Sequence, residues 1–233
     1  MISRQPGGPL ALVFATLAEA EPLLEALRAR PHRTGPIETF VAHPSCATSA
    51  PRVLIAITGM GLEAAEAGIA DVLKEGPRCV VNAGIAGALR TCFDVGDVLH
   101  IGAAAEVDDE PAGDADFLAL PPAARDWLPT PRAVARLVSR RRPLFDDRVR
   151  DRLALSADLV DMEGARIAAR CQLADVPCAL VKAVSDHATD RATLLQNLAL
   201  GARRLAAHLL PALTSSTARE AQTPTGDASC LTR

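Results

Sequence analysis

The stretch that decides the fold is Asp158-Leu159-Val160-Asp161-Met162-Glu163-Gly164-Ala165, a helical span, and then Val176-Pro177-Cys178-Ala179-Leu180-Val181-Lys182-Ala183-Val184-Ser185-Asp186-His187. The run Cys178–Val184 is too apolar for a surface strand, so it is predicted to lie inside a sheet. Glu163 stands at the entrance of a helix and Asp186 just past the buried strand. In an α/β sheet, ligands bind at the carboxyl ends of the strands. A carboxylate placed there is a candidate site residue.

Working outward, buried strands alternate with helices. Strands are predicted over Leu10–Thr16, Ile37–His43, Arg52–Thr58, Cys79–Asn82, Val98–Ala105, Arg132–Ser139 and Asp158–Asp161. Helices are predicted over Ala18–Arg30, where Ala20, Leu23, Leu24 and Leu27 keep a helical period, and over 62–74, 146–154, 163–173 and 191–210. Glu106–Pro131 is rich in Asp, Ala and Pro and reads as a long loop of the lid or rim kind. Residues 1–9 read as a disordered lead, 10–213 as one domain, and the polar segment 214–233 as a disordered tail. Alternation of this kind implies an α/β fold, a mostly parallel or mixed sheet with helices on both faces.

The bulk numbers exclude several function classes. The 233 residues suffice for one α/β domain with a sizeable core. A net charge of −3 gives no footing for nucleic acid or anionic membrane. Arg140-Arg141-Arg142 reads as a solvated basic face. No apolar run is long enough to span a bilayer, and the N-terminus lacks a signal-peptide pattern. Cys46, Cys79, Cys92, Cys171, Cys178 and Cys230 have no paired spacing, so neither a disulfide framework nor a zinc site is expected, and the cytoplasm is the expected compartment. Tyrosine is absent and aromatics are 3% of residues, so Ala, Leu and Val must build the core.

Two glycine-rich segments follow buried strands: Thr58-Gly59-Met60-Gly61 and Asn82-Ala83-Gly84-Ile85-Ala86-Gly87. Both are predicted as turns, where glycine lets the backbone bend tightly or approach a ligand. The first exposes helix N-terminal N–H groups suited to an anion. Neither fits the P-loop or the full dinucleotide fingerprint, and no cofactor or metal is expected. Taken alone, each segment could equally be a tight strand-to-helix connection.

In order along the chain, Ala15-Thr16-Leu17-Ala18-Glu19-Ala20-Glu21, the two glycine segments, Val95-Gly96-Asp97, Val160-Asp161-Met162-Glu163-Gly164-Ala165 and Val184-Ser185-Asp186 resemble the purine and uridine phosphorylase superfamily. The nearer branch is that of the 5′-methylthioadenosine/S-adenosylhomocysteine nucleosidases, with futalosine hydrolases and hopanoid-associated relatives. The resemblance covers roughly Leu10–Leu210. It implies a three-layer α/β/α fold around a mixed, partly barrel-like sheet, a homodimer or higher homo-oligomer, and a purine nucleoside N-ribosyl hydrolase for a 5′-modified substrate. It places water activation on Glu19, ribose binding on Met162 and Glu163, and base protonation on Asp186. Gly59, Met60, Ala83, Gly84, Ile85 and Ser185 fall in the substrate-binding blocks.

Breaking an N-glycosidic bond builds positive charge on the sugar and negative charge on the base. A carboxylate beside the sugar offsets the first, and a protonated acid beside the base quenches the second. Each carboxylate has an alternative use: Glu19 and Glu163 could complement helix dipoles and Asp186 could cap the next segment. The chain also departs from the family's patterns. Val81-Asn82 stands where phosphorylases carry an arginine, which favours water over phosphate as acceptor. Ile85 replaces a serine, and Lys182 replaces an arginine that helps set the surroundings of Asp186. Phe145 is the best candidate to stack on the base, ahead of Phe117 and Trp127. A phosphate-dependent phosphorylase and a silent nucleoside-binding protein remain the alternatives.

Overall fold

The computed structural model describes residues 7–33, 37–44, 52–108, 115–189 and 191–214. Cys46, Cys230, residues 1–6 of the expected lead and residues 215–233 of the expected tail lie outside the described residues. Within the expected lead, Gly8 and Pro9 are buried, and the Pro9 carbonyl accepts the Arg78 N–H at 3.0 Å.

Among the described residues, ten strands form one sheet: β1 (Leu10–Phe14), β2 (Arg30–Arg33), β3 (Glu38–Ala42), β4 (Val53–Ile57), β5 (Cys79–Ala88), β6 (Val98–Glu106), β7 (Leu118–Ala119), β8 (Ala133–Ser139), β9 (Leu159–Asp161) and β10 (Cys178–Asp186). The α-helices of the described residues pack around it: α1 (Leu17–Ala26), α2 (Leu62–Leu73), α3 (Asp147–Leu153), α4 (Gly164–Leu173) and α5 (Arg191–Thr214). β5 is the hub. It runs parallel to β10 along one edge, and to β1 over the first part of the other. Where β1 ends, β9 takes over that edge antiparallel at Gly87 and Ala88. The path β5–β10–β6–β8–β9 and back to β5 closes a ring of strands, and β1–β4–β3–β2 extends from it as an open wing.

Strands buried on both faces send alternate side chains to opposite layers. All five residues of β1 are buried. Its Ala11 and Val13 join Ile69, Leu137 and Ile167 in the layer beneath α2 and α4. Its Leu10, Leu12 and Phe14 join Leu23, Leu205 and Leu209 beneath α1 and α5. The expected three layers and mixed, partly closed sheet are therefore present. No helix among the described residues is long and apolar enough to cross a membrane.

Three local predictions need correction. The first helix ends at Ala26 rather than near residue 30, because Arg28 takes a left-handed backbone (φ 50°) and turns the chain into β2. β2, Arg-Pro-His-Arg and exposed throughout, has no apolar alternation to betray it; it exists by antiparallel pairing to β3. Finally, Ala83–Gly87 is no turn. β5 continues through it to Ala88 and β10 continues to Asp186, the two paired as far as Asp186 opposite Gly87 with a bulge at Ser185.

Gly68, in the middle of α2, shows how closely the layers meet. A Cβ there would lie 2.4 Å from Thr58 Cγ2 and 3.0 Å from the Thr58 Cα. Replacing an exposed helical glycine by alanine normally gains about 1 kcal/mol, but overpacking costs about 1–3 kcal/mol. Gly68→Ala should therefore lower stability by about 1 kcal/mol in urea denaturation, instead of raising it by about as much.

Candidate active site

β1, β5 and β10 are parallel, so their carboxyl ends share one side of the molecule. Glu19 reaches it from the first turn of α1 and is 5% exposed. Its Oε2 accepts the Thr16 N–H at 2.9 Å and the Thr16 hydroxyl at 2.8 Å, while Thr16 Oγ1 caps the Glu19 N–H. This is a capping box. The other oxygen, Oε1, leaves the helix and accepts the Ile85 N–H of β5 at 3.0 Å. One side chain thus caps its helix and also binds the middle of β5. The approach requires glycine: a Cβ on Gly84 would lie 3.0 Å from Glu19 Oε1 and 3.5 Å from Lys182 Nζ.

Glu163 occupies the N-cap position of α4 but makes no capping bond with its side chain. Its Oε1 instead accepts the N–H of Gly61, at the start of α2, at 2.6 Å. Gly59 and Gly61 hold φ of 89° and 93°, a region that favours glycine, and present that N–H inward. The anion awaited at this helix start is thus the protein's own carboxylate. Met162 lies against the same turn, its Cε 3.9 Å from a Cβ position on Gly61.

Between them sits Lys182, 2% exposed. Its Nζ donates to Asp161 Oδ2 and to Asn82 Oδ1, each at 2.8 Å. Asn82 is anchored in turn by donating from Nδ2 to the Val13 carbonyl at 3.1 Å. Burial alone would drive the ammonium toward its neutral form. The carboxylates of Asp161, Glu163 and Glu19 outweigh it and hold the Lys182 pKa above its ordinary value. Lys182 therefore belongs to Asp161 and Asn82, not to Asp186 as its sequence position suggested.

Asp186 closes β10 and is 1% exposed. Its Oδ2 accepts the Ser185 hydroxyl at 2.6 Å, and its Oδ1 accepts the Ala188 N–H at 2.6 Å. The register sets Lys182 opposite Gly84 and Asp186 opposite Gly87. Those glycines are three residues apart, so the acid stands roughly 10 Å along the strand from the Glu19–Lys182 pair. Three carboxylates, Glu19, Asp161 and Glu163, meet a single ammonium, so the site favours positive charge developing between them.

The family profile described as the phosphorylase superfamily matches residues 9–214. The chain belongs to that superfamily. Solved structures with the same fold include a Helicobacter pylori 5′-methylthioadenosine/S-adenosylhomocysteine nucleosidase (TM-score 0.78, 19% identity, covering 90% of this chain and 98% of that one). The futalosine hydrolase of Helicobacter pylori matches with a TM-score of 0.75 at 19% identity, over 89% and 97% of the two chains. A Neisseria meningitidis 5′-methylthioadenosine/S-adenosylhomocysteine nucleosidase in complex with methylthio-immucillin-A matches at 0.74 and 23% identity, over 89% and 99%. A search of curated proteins returns no significant match to the sequence.

The remaining candidates in this phosphorylase-superfamily chain divide clearly. Ala83 and Ser185 are buried in β5 and β10. Met60 is 70% exposed at the rim. Ile85 contributes its N–H, while its Cγ2 packs 2.7 Å from a Cβ position on Gly201 of α5. Phe145 is exposed ahead of α3 and is not brought to the carboxylates by any described contact. Phe117 stacks under the Arg136 guanidinium at 3.8 Å, and Trp127 donates to the Ala124 carbonyl at 3.0 Å. The basic run is only partly a solvated face: Arg141 and Arg142 are exposed, but Arg140 is buried. Sequence reasoning missed the roles of Asn82, Asp161 and Ser139. A lysine inside an otherwise apolar strand was the available signal, since a buried ammonium demands partners. Among the described residues, no group of three or more His, Cys, Asp or Glu is placed to hold a metal ion.

Burial pushes the Glu163 carboxyl up to about 7, from an ordinary 4.5, and the neighbouring Asp161 charge adds to it; Lys182 and the Gly61 N–H oppose them. The sign for stability follows. A carboxyl raised in the folded state lends stability in acid, fully present below 4.5 and lost as pH rises through 7. Glu163→Gln removes that loss. Between pH 5 and pH 8 the variant should gain about 2–3 kcal/mol relative to wild type in urea titrations.

Proposed function

We propose that this chain is a purine nucleoside N-ribosyl hydrolase, cleaving the N-glycosidic bond of a 5′-modified adenosine or a related nucleoside. The observation that carries this is the gathering of Glu19, Glu163 and Asp186 at one end of β1, β5 and β10, on positions that match the family's blocks. Glu19 takes a proton from water as the water oxygen bonds to the anomeric carbon. Glu163 accepts hydrogen bonds from ribose hydroxyls and, with Met162, fixes the sugar. Asp186 acts as the general acid, giving a proton to the departing base as the carbon–nitrogen bond breaks. Water supplies the atoms that complete both products, so the reaction needs no cofactor.

Water is favoured over phosphate because Asn82, where phosphorylases carry an arginine, spends both ends of its amide on Val13 and Lys182. The neighbouring nucleosidase and futalosine hydrolase folds support the same acceptor at the level of fold. A cytoplasmic location and a homodimer or higher homo-oligomer belong to the same proposal; light scattering of the purified protein measures the latter.

The test is a product assay. The protein is incubated with methylthioadenosine, S-adenosylhomocysteine, adenosine, inosine and futalosine, with and without phosphate, and free base is separated by chromatography. Base released without phosphate is the expected result and ranks the substrates. Release only with phosphate would make the chain a phosphorylase, and tight binding without release a silent binder. Asp186→Asn should cut turnover by about 10²-fold or more at unchanged melting temperature; an active, folded variant removes Asp186 from the mechanism. Glu19→Gln should still bind nucleoside while losing hydrolysis, and should lose about 1 kcal/mol of stability through its capping box. Loss of stability alone would leave Glu19 as a helix cap only.

A further inference from the structure

The first N–H groups of an α-helix have no partner inside the helix, and a Ser, Thr, Asp or Asn at the N-cap normally satisfies them. α4 breaks that pattern. Its N-cap is Glu163, whose carboxylate goes to Gly61 instead. Two residues at the ends of strands cap the helix, and a third holds one of them in place. Asp161, ending β9, accepts the Glu163 N–H through Oδ1 at 3.3 Å and the Gly164 N–H through Oδ2 at 3.0 Å. Ser139, ending β8, accepts the Ala165 N–H at 2.9 Å and donates its hydroxyl to Asp161 Oδ1 at 2.5 Å. Lys182, in β10, holds Asp161 Oδ2 at 2.8 Å. Ser139 is wholly buried, and Asp161 and Lys182 nearly so.

We propose that Ser139, Asp161 and Lys182 are a coupled set of positioning residues: Ser139 and Asp161, the latter held by Lys182, cap α4 from outside, so that the Glu163 carboxylate is released from capping its own helix and faces the sugar site. The proposal rests on the assignment of Glu163 to ribose. Its chemistry explains lysine at position 182. A lysine ammonium is a point donor and touches one oxygen of Asp161, leaving the other for Ser139 and the backbone. An arginine would present a fork that takes both oxygens and would compete with Ser139. Lys182→Arg, which conserves charge, should therefore be harmful.

Asp161→Asn would strand a buried ammonium and threaten folding, so Ser139→Ala and Lys182→Arg are the useful variants. Two measurements decide. Hydrogen exchange at Gly164 and Ala165 needs no turnover; both variants should exchange there about tenfold faster, with the rest of the fold unchanged. Steady-state kinetics on the substrate found in the product assay should show kcat/KM falling about tenfold. A double-mutant cycle then separates positioning from general damage. In a Glu163→Gln background, Ser139→Ala should cost nothing further in kcat/KM, because its effect passes through Glu163. Unchanged exchange at Gly164 and Ala165, or a full additional loss in the Glu163→Gln background, overturns the proposal. If wild type cleaves no nucleoside, the hydrolase assignment falls, and exchange alone then judges the capping: faster at both amides upholds it, unchanged refutes it.

Discussion

The buried ammonium of Lys182 is the constraint around which the site is arranged. An isolated charge in so dry a place would not survive; it would lose its proton or the fold would open. Asp161 and Asn82 make it tenable, and each ties a different part of the sheet to it. Asn82 reaches across to Val13 of β1, while Asp161 binds β9 to the start of α4. One charge thereby fixes β1, β5, β9 and β10 relative to one another, and the two glutamates lie on either side of it.

Small residues in β5 make the arrangement possible. Glu19 and Lys182 converge over Gly84, and Asp186 lies 3.2 Å from a Cβ position on Gly87. A side chain at either point would press on Glu19 and Lys182, or on Asp186. The glycines serve close approach rather than a turn, since β5 continues through them paired to β10, with one bulge at Ser185 opposite Ala86 and Gly87.

Much of this was legible in the sequence. The apolar runs announced β1, β4, β5 and β10 because strands buried on both faces need no alternation. The helix starts at Leu62 and Gly164 were equally clear. The three carboxylates stood out because each followed a strand or opened a helix. What stayed hidden depended on partners far along the chain. Nothing local distinguishes Ser139 from any strand-end serine, and its meaning comes from Asp161 and Ala165. Gly-rich Ala83–Gly87 looked like a turn because composition cannot tell a backbone that bends from one that must be approached closely. Phe145 was chosen for its ring, and a ring alone carries no position.

The open wing of the sheet ends in β2, whose four residues are Arg30, Pro31, His32 and Arg33. The ring side of the sheet closes on itself through β9 and β5, so it offers little free strand edge there. The wing has no such protection, and an uncovered edge invites another chain to add a strand. Proline removes one of the N–H groups such a guest would need. Two of its side chains are tied back to the protein: Arg33 pairs with Asp71 of α2, and His32 meets the Arg52 guanidinium, at the foot of β4, at 2.7 Å. A strand that looks unfit for a sheet is thus well fitted to be its last one, keeping each molecule's sheet from being extended by its neighbours in a crowded solution.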